Sequence, residues 1–250
     1  MENDLKLAVL IDGDNIPSAY VKEMMEEIAK YGSPTIKRIY GDWTKPTVAK
    51  WKNILLENAI NPVQQYAYTL GKNATDSAMI IDAMDILYSG KVNGFCLVSS
   101  DSDFTRLATR LREAGMKVYG IGEKKTPNPF IVACDKFIYL EILKDNSKDS
   151  DTNSTPDKSI KKGGYDKITP KVIRLISSTI SDLADDDGWA FLGDVGSLLQ
   201  KKQPNFDSRN YGFEKLTPLI NSIGKFEIDQ RDSYKGKFKL IYVRNKNRKN

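Results

Sequence analysis

The 250-residue chain contains no histidine. That absence excludes Ser-His-Asp and Cys-His catalysis, histidine-based zinc sites and any imidazole acid or base. Cysteine is almost as scarce: Cys96 and Cys134 are the only two, and neither belongs to a CxxC pair, so a zinc site or a redox motif is not expected. Cys96 sits in the apolar run Phe95-Cys96-Leu97-Val98 and reads as a small buried hydrophobe. No apolar run approaches the roughly 18 residues that a membrane span requires. The acidic start Met1-Glu2-Asn3-Asp4 and the short run Leu7–Ile11 do not resemble a signal peptide. The expectation is a cytoplasmic protein with no membrane partner, whose chemistry rests on carboxylates, lysines, hydroxyls or a bound metal.

What is present divides unevenly along the chain. Residues 1–144 hold 18 Lys+Arg and 18 Asp+Glu, residues 145–162 hold four of each, and residues 163–250 hold 16 basic against 11 acidic residues. The whole positive excess of +5 therefore lies in the last third. A neutral domain joined to a basic one points to an anionic partner for the second, most simply nucleic acid.

Short apolar runs alternate with helical spacing as far as Leu143. Strands are predicted at Leu7–Ile11, Thr35–Tyr40, Pro62–Tyr66, Gly94–Val98, Lys117–Ile121 and Phe137–Leu140. Helices are predicted at Pro17–Tyr31, Pro46–Ala59, Asp76–Tyr88 and Phe104–Ala114. This alternation predicts an α/β domain with a Rossmann-like parallel sheet over residues 1–144. Residues 145–164 (DNSKDSDTNSTPDKSIKKGG) lack periodicity and apolar content and read as a flexible linker. In residues 165–245, helical spacing at Pro170–Leu183, Leu192–Lys201 and Phe213–Ile223 precedes strand-like Phe226–Ile228 and Lys237–Val243 around Tyr234-Lys235-Gly236. Three short helices and a hairpin outline a small winged helix-turn-helix.

Asp12 and Asp14 directly follow the first predicted strand, and Asp101 and Asp103 directly follow the fourth. Right-handed crossovers place those two strands side by side, at the point where ligands bind in open parallel sheets. Asp76, at the start of the third helix, reaches the same edge. So many carboxylates cannot all ionise without a cation. An oxygen-only donor set suits Mg2+ or Mn2+ completed by a phosphate, which implies phosphodiester hydrolysis. The competing reading is helix capping, by Asp103 for the helix at Phe104 and by Asp76 for the helix before it.

At these residues the chain resembles the NYN domain of the LabA-like group, within the PIN-like nucleases. The stretches that carry the resemblance are LIDGDN (Leu10–Asn15), GKNATDSAMIIDAMD (Gly71–Asp85) and VSSDSDF (Val98–Phe104), and it covers about Leu5 to Leu143. It implies a metal-dependent ribonuclease, expected to be an endonuclease, with Asp12, Asp76, Asp101 and Asp103 as catalytic metal ligands and Asp14 as a ligand or close neighbour. Asp82 matches a recurrent acid, yet lies about 120° from Asp76 around a helix; it reads either as a supporting group or as solvated. Asn15, Ser100 and Ser102 are candidates to orient the carboxylates. Lys72 and Asn73 are candidate phosphate contacts.

From Tyr165 to Val243 the chain is similar to the OST-HTH, or LOTUS, domain, through Gly188-Trp189-Ala190, Leu192–Gly196 and above all Arg209-Asn210-Tyr211-Gly212-Phe213-Glu214-Lys215-Leu216. This implies RNA binding, and leaves a protein partner open. Arg231, Lys235, Lys237, Lys239, Arg244, Lys246, Arg248 and Lys249 face one acid, Asp232, along the wing and tail, with Tyr234 and Tyr242 among them. These form a candidate RNA surface, whose alternative is a charged edge strand. Trp189, Tyr211 and Phe213 read as core. RNA is the expected partner, and DNA is not excluded. Two other functions fit the residues: a haloacid-dehalogenase-like phosphatase with Asp12 as nucleophile, and a non-catalytic RNA-binding adaptor.

Overall fold

The structure, a computed structural model, describes residues 5–44, 51–66, 74–145, 165–232 and 239–246. It separates into two compact units, Met1–Thr155 and Pro156–Asn250.

In the first unit six parallel strands lie in the order β3-β2-β1-β4-β5-β6. They are β1 (Lys6–Asp12), β2 (Ser33–Gly41), β3 (Asn61–Gln64), β4 (Gly94–Val98), β5 (Lys117–Gly122) and β6 (Lys136–Tyr139). The chain runs outward from β1 to β3, crosses back through α3 (Ala74–Tyr88) and continues from β4 in the other direction. The strand order thus reverses between β1 and β4, which pair in parallel with Ile11 level with Val98. In β4 every residue is buried, and in β1 all but Lys6, as expected of central strands covered on both faces.

The connecting helices are α1 (Val21–Ile28), α2 (Trp51–Asn58), α4 (Thr105–Glu113), α5 (Asn128–Ala133) and α6 (Glu141–Asp145). Helix α4 buries Leu107, Ala108 and Leu111, a spacing that makes one apolar stripe. Two expectations need correction. The segment from Pro17 is not continuous helix: Pro17 stands before a 3-10 turn, Ser18–Tyr20, and the α-helix begins at Val21. The helices α5 and α6 escape the sequence pattern because six and five residues are too few to show a period. The predicted start of the second helix at Pro46 lies outside the described residues, as do residues 146–164, where the linker is expected.

In the second unit α7 (Pro170–Leu183) opens on Thr169, whose hydroxyl accepts from the Val172 N–H, with proline at the first helical position. It buries Val172, Ile176, Thr179 and Ile180 on one face. A two-residue strand, β7 (Ala190–Phe191), leads into α8 (Leu192–Lys202); α9 (Leu216–Ile223) and the hairpin β8 (Phe226–Asp232) and β9 (Lys239–Asn245) complete the unit. The sheet order β7-β9-β8 gives a winged helix whose first strand the sequence pattern does not reveal. The third helix begins at Leu216 rather than Phe213, because a 3-10 turn (Ser208–Tyr211) ends on Gly212 at φ +82° and Lys215 is still extended. Among the described residues, no helix of either unit is long and apolar enough to cross a membrane.

Gly120 of β5 gives a test of packing at the centre of the first unit. A Cβ there would lie 2.5 Å from the Phe137 ring and 2.8 Å from Cys134 Sγ, and both side chains are fully buried. Gly120→Ala is expected to cost roughly 1–3 kcal/mol through overpacking, read as a lower urea midpoint; an unchanged midpoint would mean that this core can relax.

Candidate metal centre

Three of the predicted aspartates come together. Carboxylate oxygens of Asp76, Asp101 and Asp103 all lie within 4.8 Å of one another. Asp76 stands in the first turn of α3, where the helix N-terminus favours a negative charge. Asp101 follows β4 and caps the 3-10 turn Ser102–Phe104, its carboxylate accepting from the Asp103 N–H at 2.9 Å. The capping role foreseen for Asp103 therefore belongs to Asp101, and Asp103 is left exposed in that first turn.

Asp12 and Asp14 fall outside this trio but next to it. Asp12 is 1% exposed. Its carboxylate accepts from Asn15 Nδ2 at 2.6 Å, Ser99 Oγ at 2.8 Å and the Asp14 N–H at 3.2 Å. Burial pushes its pKa up, and the hydrogen bonds from Asn15, Ser99 and the Asp14 backbone oppose that shift. Asp14 is exposed and accepts from the Thr75 hydroxyl at 3.0 Å, which ties the end of β1 to the start of α3. Gly13 between them is required by close approach: a Cβ would come within 2.8 Å of the Tyr40 carbonyl, which accepts the Gly13 N–H.

Ser99 is the polar residue that sequence reasoning missed. Its hydroxyl donates to Asp12 and accepts from the Asp101 N–H at 3.1 Å, so one side chain joins the ends of β1 and β4. The signal was present but needed the register: with Ile11 level with Val98, the next residues, Asp12 and Ser99, are neighbours. Asn15 does hold a carboxylate. Ser100 does not: its buried hydroxyl accepts from the Glu123 N–H at 2.8 Å, tying β4 to the end of β5. Ser102 is exposed at the start of the 3-10 turn. Asp82, left open between a supporting and a solvated role, takes hydrogen bonds from the Arg38 guanidinium and the buried Tyr40 hydroxyl and so braces α3 against β2. Lys72 and Asn73 lie outside the described residues.

The donor set is all oxygen, as hard divalent cations such as Mg2+ and Mn2+ require. The electrostatics agree: burial, and then the charges of Asp12, Asp101, Asp103 and Asp14, push the Asp76 pKa up to about 6. Negative charge is thus crowded at the one place where the sheet order reverses. Asp12 is poorly placed for nucleophilic attack in the dehalogenase manner, being buried with both oxygens engaged.

In the second unit the candidate RNA residues divide. Tyr234, Lys235 and Lys237 lie outside the described residues, and Lys239 is exposed at the start of β9. Arg231 and Arg244 are paired with acids: Arg231 Nε donates to Asp229 at 2.9 Å and Arg244 Nε to Glu227 at 2.6 Å. Trp189, expected in the core, is half-buried beneath both guanidinium groups.

A parallel α/β domain with acids at the strand-order reversal, and a separate winged-helix unit, define a two-module protein. The chain belongs to the NYN domain family, whose profile matches residues 6–141, and the OST-HTH/LOTUS domain profile matches residues 165–238. The first match implies a PIN-like nuclease fold and the second implies RNA binding. Similar solved structures include the following two. A protein of unknown function from Vibrio parahaemolyticus RIMD 2210633 is 20% identical over 55% of this chain and 93% of its own, with a TM-score of 0.47. An uncharacterized protein from Nitrosomonas europaea is 30% identical over 38% of this chain and 91% of its own, with a TM-score of 0.31. No curated protein matches the chain.

The raised Asp76 pKa has a measurable consequence. Between the unfolded value near 3.9 and about 6 in the folded state, the folded protein binds more protons than the unfolded one. Without a cation, stability therefore falls as pH rises through that window and stays lower above it. In EDTA at pH 7.5, Asp76→Asn is expected to unfold at a higher urea concentration than wild type, and the gap should close as pH falls from about 6 towards 4. Added Mn2+ should stabilise wild type more than the variant. A variant less stable than wild type across the whole range in EDTA would contradict this electrostatic account.

Proposed function

We propose that the protein is a metal-dependent ribonuclease: its NYN domain hydrolyses RNA phosphodiester bonds and its OST-HTH domain holds the RNA. The observation that carries this reading is the meeting of Asp76, Asp101 and Asp103 oxygens within 4.8 Å. Those three residues are the groups that would hold Mg2+ or Mn2+, while Asp12, expected from the sequence as a ligand, is engaged by Asn15 and Ser99 and would act through its charge, as would the exposed Asp14. A cation bound there supplies positive charge to the phosphoryl oxygen and lowers the pKa of the attacking water.

The chain's own contribution is placement. Asp101 is fixed by its cap on the Asp103 N–H and by its own N–H on Ser99. Asp76 is fixed by the start of α3. Asp12, gripped by Ser99 and Asn15, keeps β1 and β4 in step beneath the trio and adds negative charge without exposing an oxygen to compete as a nucleophile. Asp14 and Asp103 are the exposed members, so they stand where a phosphate arrives with water.

The direct test is incubation of the purified chain with labelled single-stranded RNA and, separately, DNA, in Mg2+, Mn2+ or EDTA. RNA cleavage that requires the cation is expected, with internal cuts in the product lengths. Asp101→Asn should lower the rate at least a hundredfold while RNA binding in EDTA stays within about twofold. Equal cleavage by wild type and variant would sink the proposal. Binding without any cleavage would favour the adaptor reading.

A further inference from the structure

The outer face of the β7-β9-β8 sheet carries a run of planar groups. Side chains alternate along a strand: Ala190 and Val243 are buried in the core, while Phe191, Tyr242 and Arg244 lie on the opposite face. In β8, Phe226 and Ile228 pack inward, so Glu227, Asp229 and Arg231 share that outer face. The Phe191 and Tyr242 rings are 5.8 Å apart at 58°. The Arg231 guanidinium lies 4.2 Å from the centre of the Tyr242 ring and 5.4 Å from that of Trp189. Arg244 covers Trp189 at 4.6 Å. Phe191, Tyr242, Arg231, Trp189 and Arg244 thus touch in succession.

The acids on this face hold the guanidinium groups rather than repel a ligand outright. Glu227 stands directly across from Arg244 and takes its Nε at 2.6 Å, and Asp229 takes Arg231 Nε at 2.9 Å, with Asp187 at 4.0 Å. Two cations against three carboxylates leave no net positive charge on the face itself. The face is open to solvent: the Arg231 and Arg244 side chains are 38% and 41% exposed and Phe191 is 36% exposed.

We propose that this face is where the second domain holds unpaired RNA, stacking bases on Phe191, Tyr242 and the Arg231 and Arg244 planes. This rests on the reading of the OST-HTH domain as the RNA-holding module and adds to it the surface and the physics. RNA is the occupant that the surroundings favour. Apart from the two paired arginines, the stretch 231–249 carries six basic residues against one acid in sequence, and the one at the head of β9, Lys239, is exposed, where it can attract phosphate beside a face that itself offers rings. Every base has a π-face, which makes such stacking tolerant of sequence. A duplex hides those faces, so unpaired strands are preferred. Because both arginines are already neutralised, their contacts release few counterions and add little to the salt dependence.

The experiment titrates the full chain with a labelled single-stranded RNA oligomer in EDTA at several salt concentrations, beside a duplex of the same length. Phe191→Ala and Arg244→Lys are each expected to weaken binding about tenfold with an unchanged slope of log affinity against log salt. Arg244→Lys keeps the charge and loses only the plane, so a purely electrostatic contact would not register it. Lys239→Ala should instead reduce the slope by about one. Ser178→Ala, at an exposed position of α7 outside this sheet, should bind as wild type does, and circular dichroism should match for all variants. Wild-type affinity in both Phe191→Ala and Arg244→Lys would overturn the assignment of this face, as would duplex binding as tight as single-strand binding. A wild-type chain that binds no RNA would overturn the RNA-holding role itself, and this surface with it.

Discussion

The hydroxyl of Ser99 is the point on which the carboxylate edge depends. Adjacent parallel strands deliver Asp12 and Asp101 to one place, and their charges oppose the arrangement. Ser99 spans the gap by donating to the Asp12 carboxylate and accepting the Asp101 N–H. A hydrogen bond to a charged, buried group contributes about 1.5–3 kcal/mol, more than one between neutral partners. The same bond fixes where the turn after β4 begins, and so where Asp101 caps and where Asp103 stands. Asn15 and the Asp14 N–H complete the grip on Asp12. Burial, and then the repulsion that remains, fall on Asp76, whose pKa rises to about 6.

A second brace acts from the other side of β1. Gly13 sits tightly under the Tyr40 carbonyl, and the Tyr40 hydroxyl reaches Asp82 on α3, which also binds Arg38. Helix α3 is therefore tied to β2 in its middle and to the β1 turn at its start, through Thr75 and Asp14. Asp82 does not face the trio, yet it sets the position of the helix that carries Asp76. An acid inside a matching motif can in this way serve the site from one and a half turns away without touching it.

What the sequence made legible follows from the range of the signal. The six strands, the reversal between β1 and β4 and the convergence of Asp76, Asp101 and Asp103 all rest on alternation and chain direction, which a single sequence carries. Ser99 was overlooked in favour of Ser100 because choosing between adjacent serines requires the register between two strands 87 residues apart. Trp189 reads as core from sequence, but Ala190 is the buried residue, and the pairing of β7 with β9 leaves the tryptophan half-buried under the two arginines. Arg231 and Arg244 were counted as free cations because Asp229 and Glu227 lie outside the basic run, and cross-strand pairing brings them together. These three misses concern a long-range register, whereas the missed short helices and the 3-10 turns are elements too brief to show a period.

The two units handle like charge in opposite ways, and this suits a division of labour on one polyanion. At the NYN edge carboxylates are crowded without enough hydrogen bonds to offset their repulsion, which would be tolerable if, as proposed, a cation completes the site and RNA brings its phosphate to that cation. On the wing, arginines are matched one by one with acids, which surrenders long-range attraction and gains flat, ordered surfaces. A strand held by stacking can shift along such a face more freely than one locked by ion pairs, because any base presents the same kind of plane. On the proposed reading, strong electrostatics are thereby reserved for the place where charge would change during the reaction.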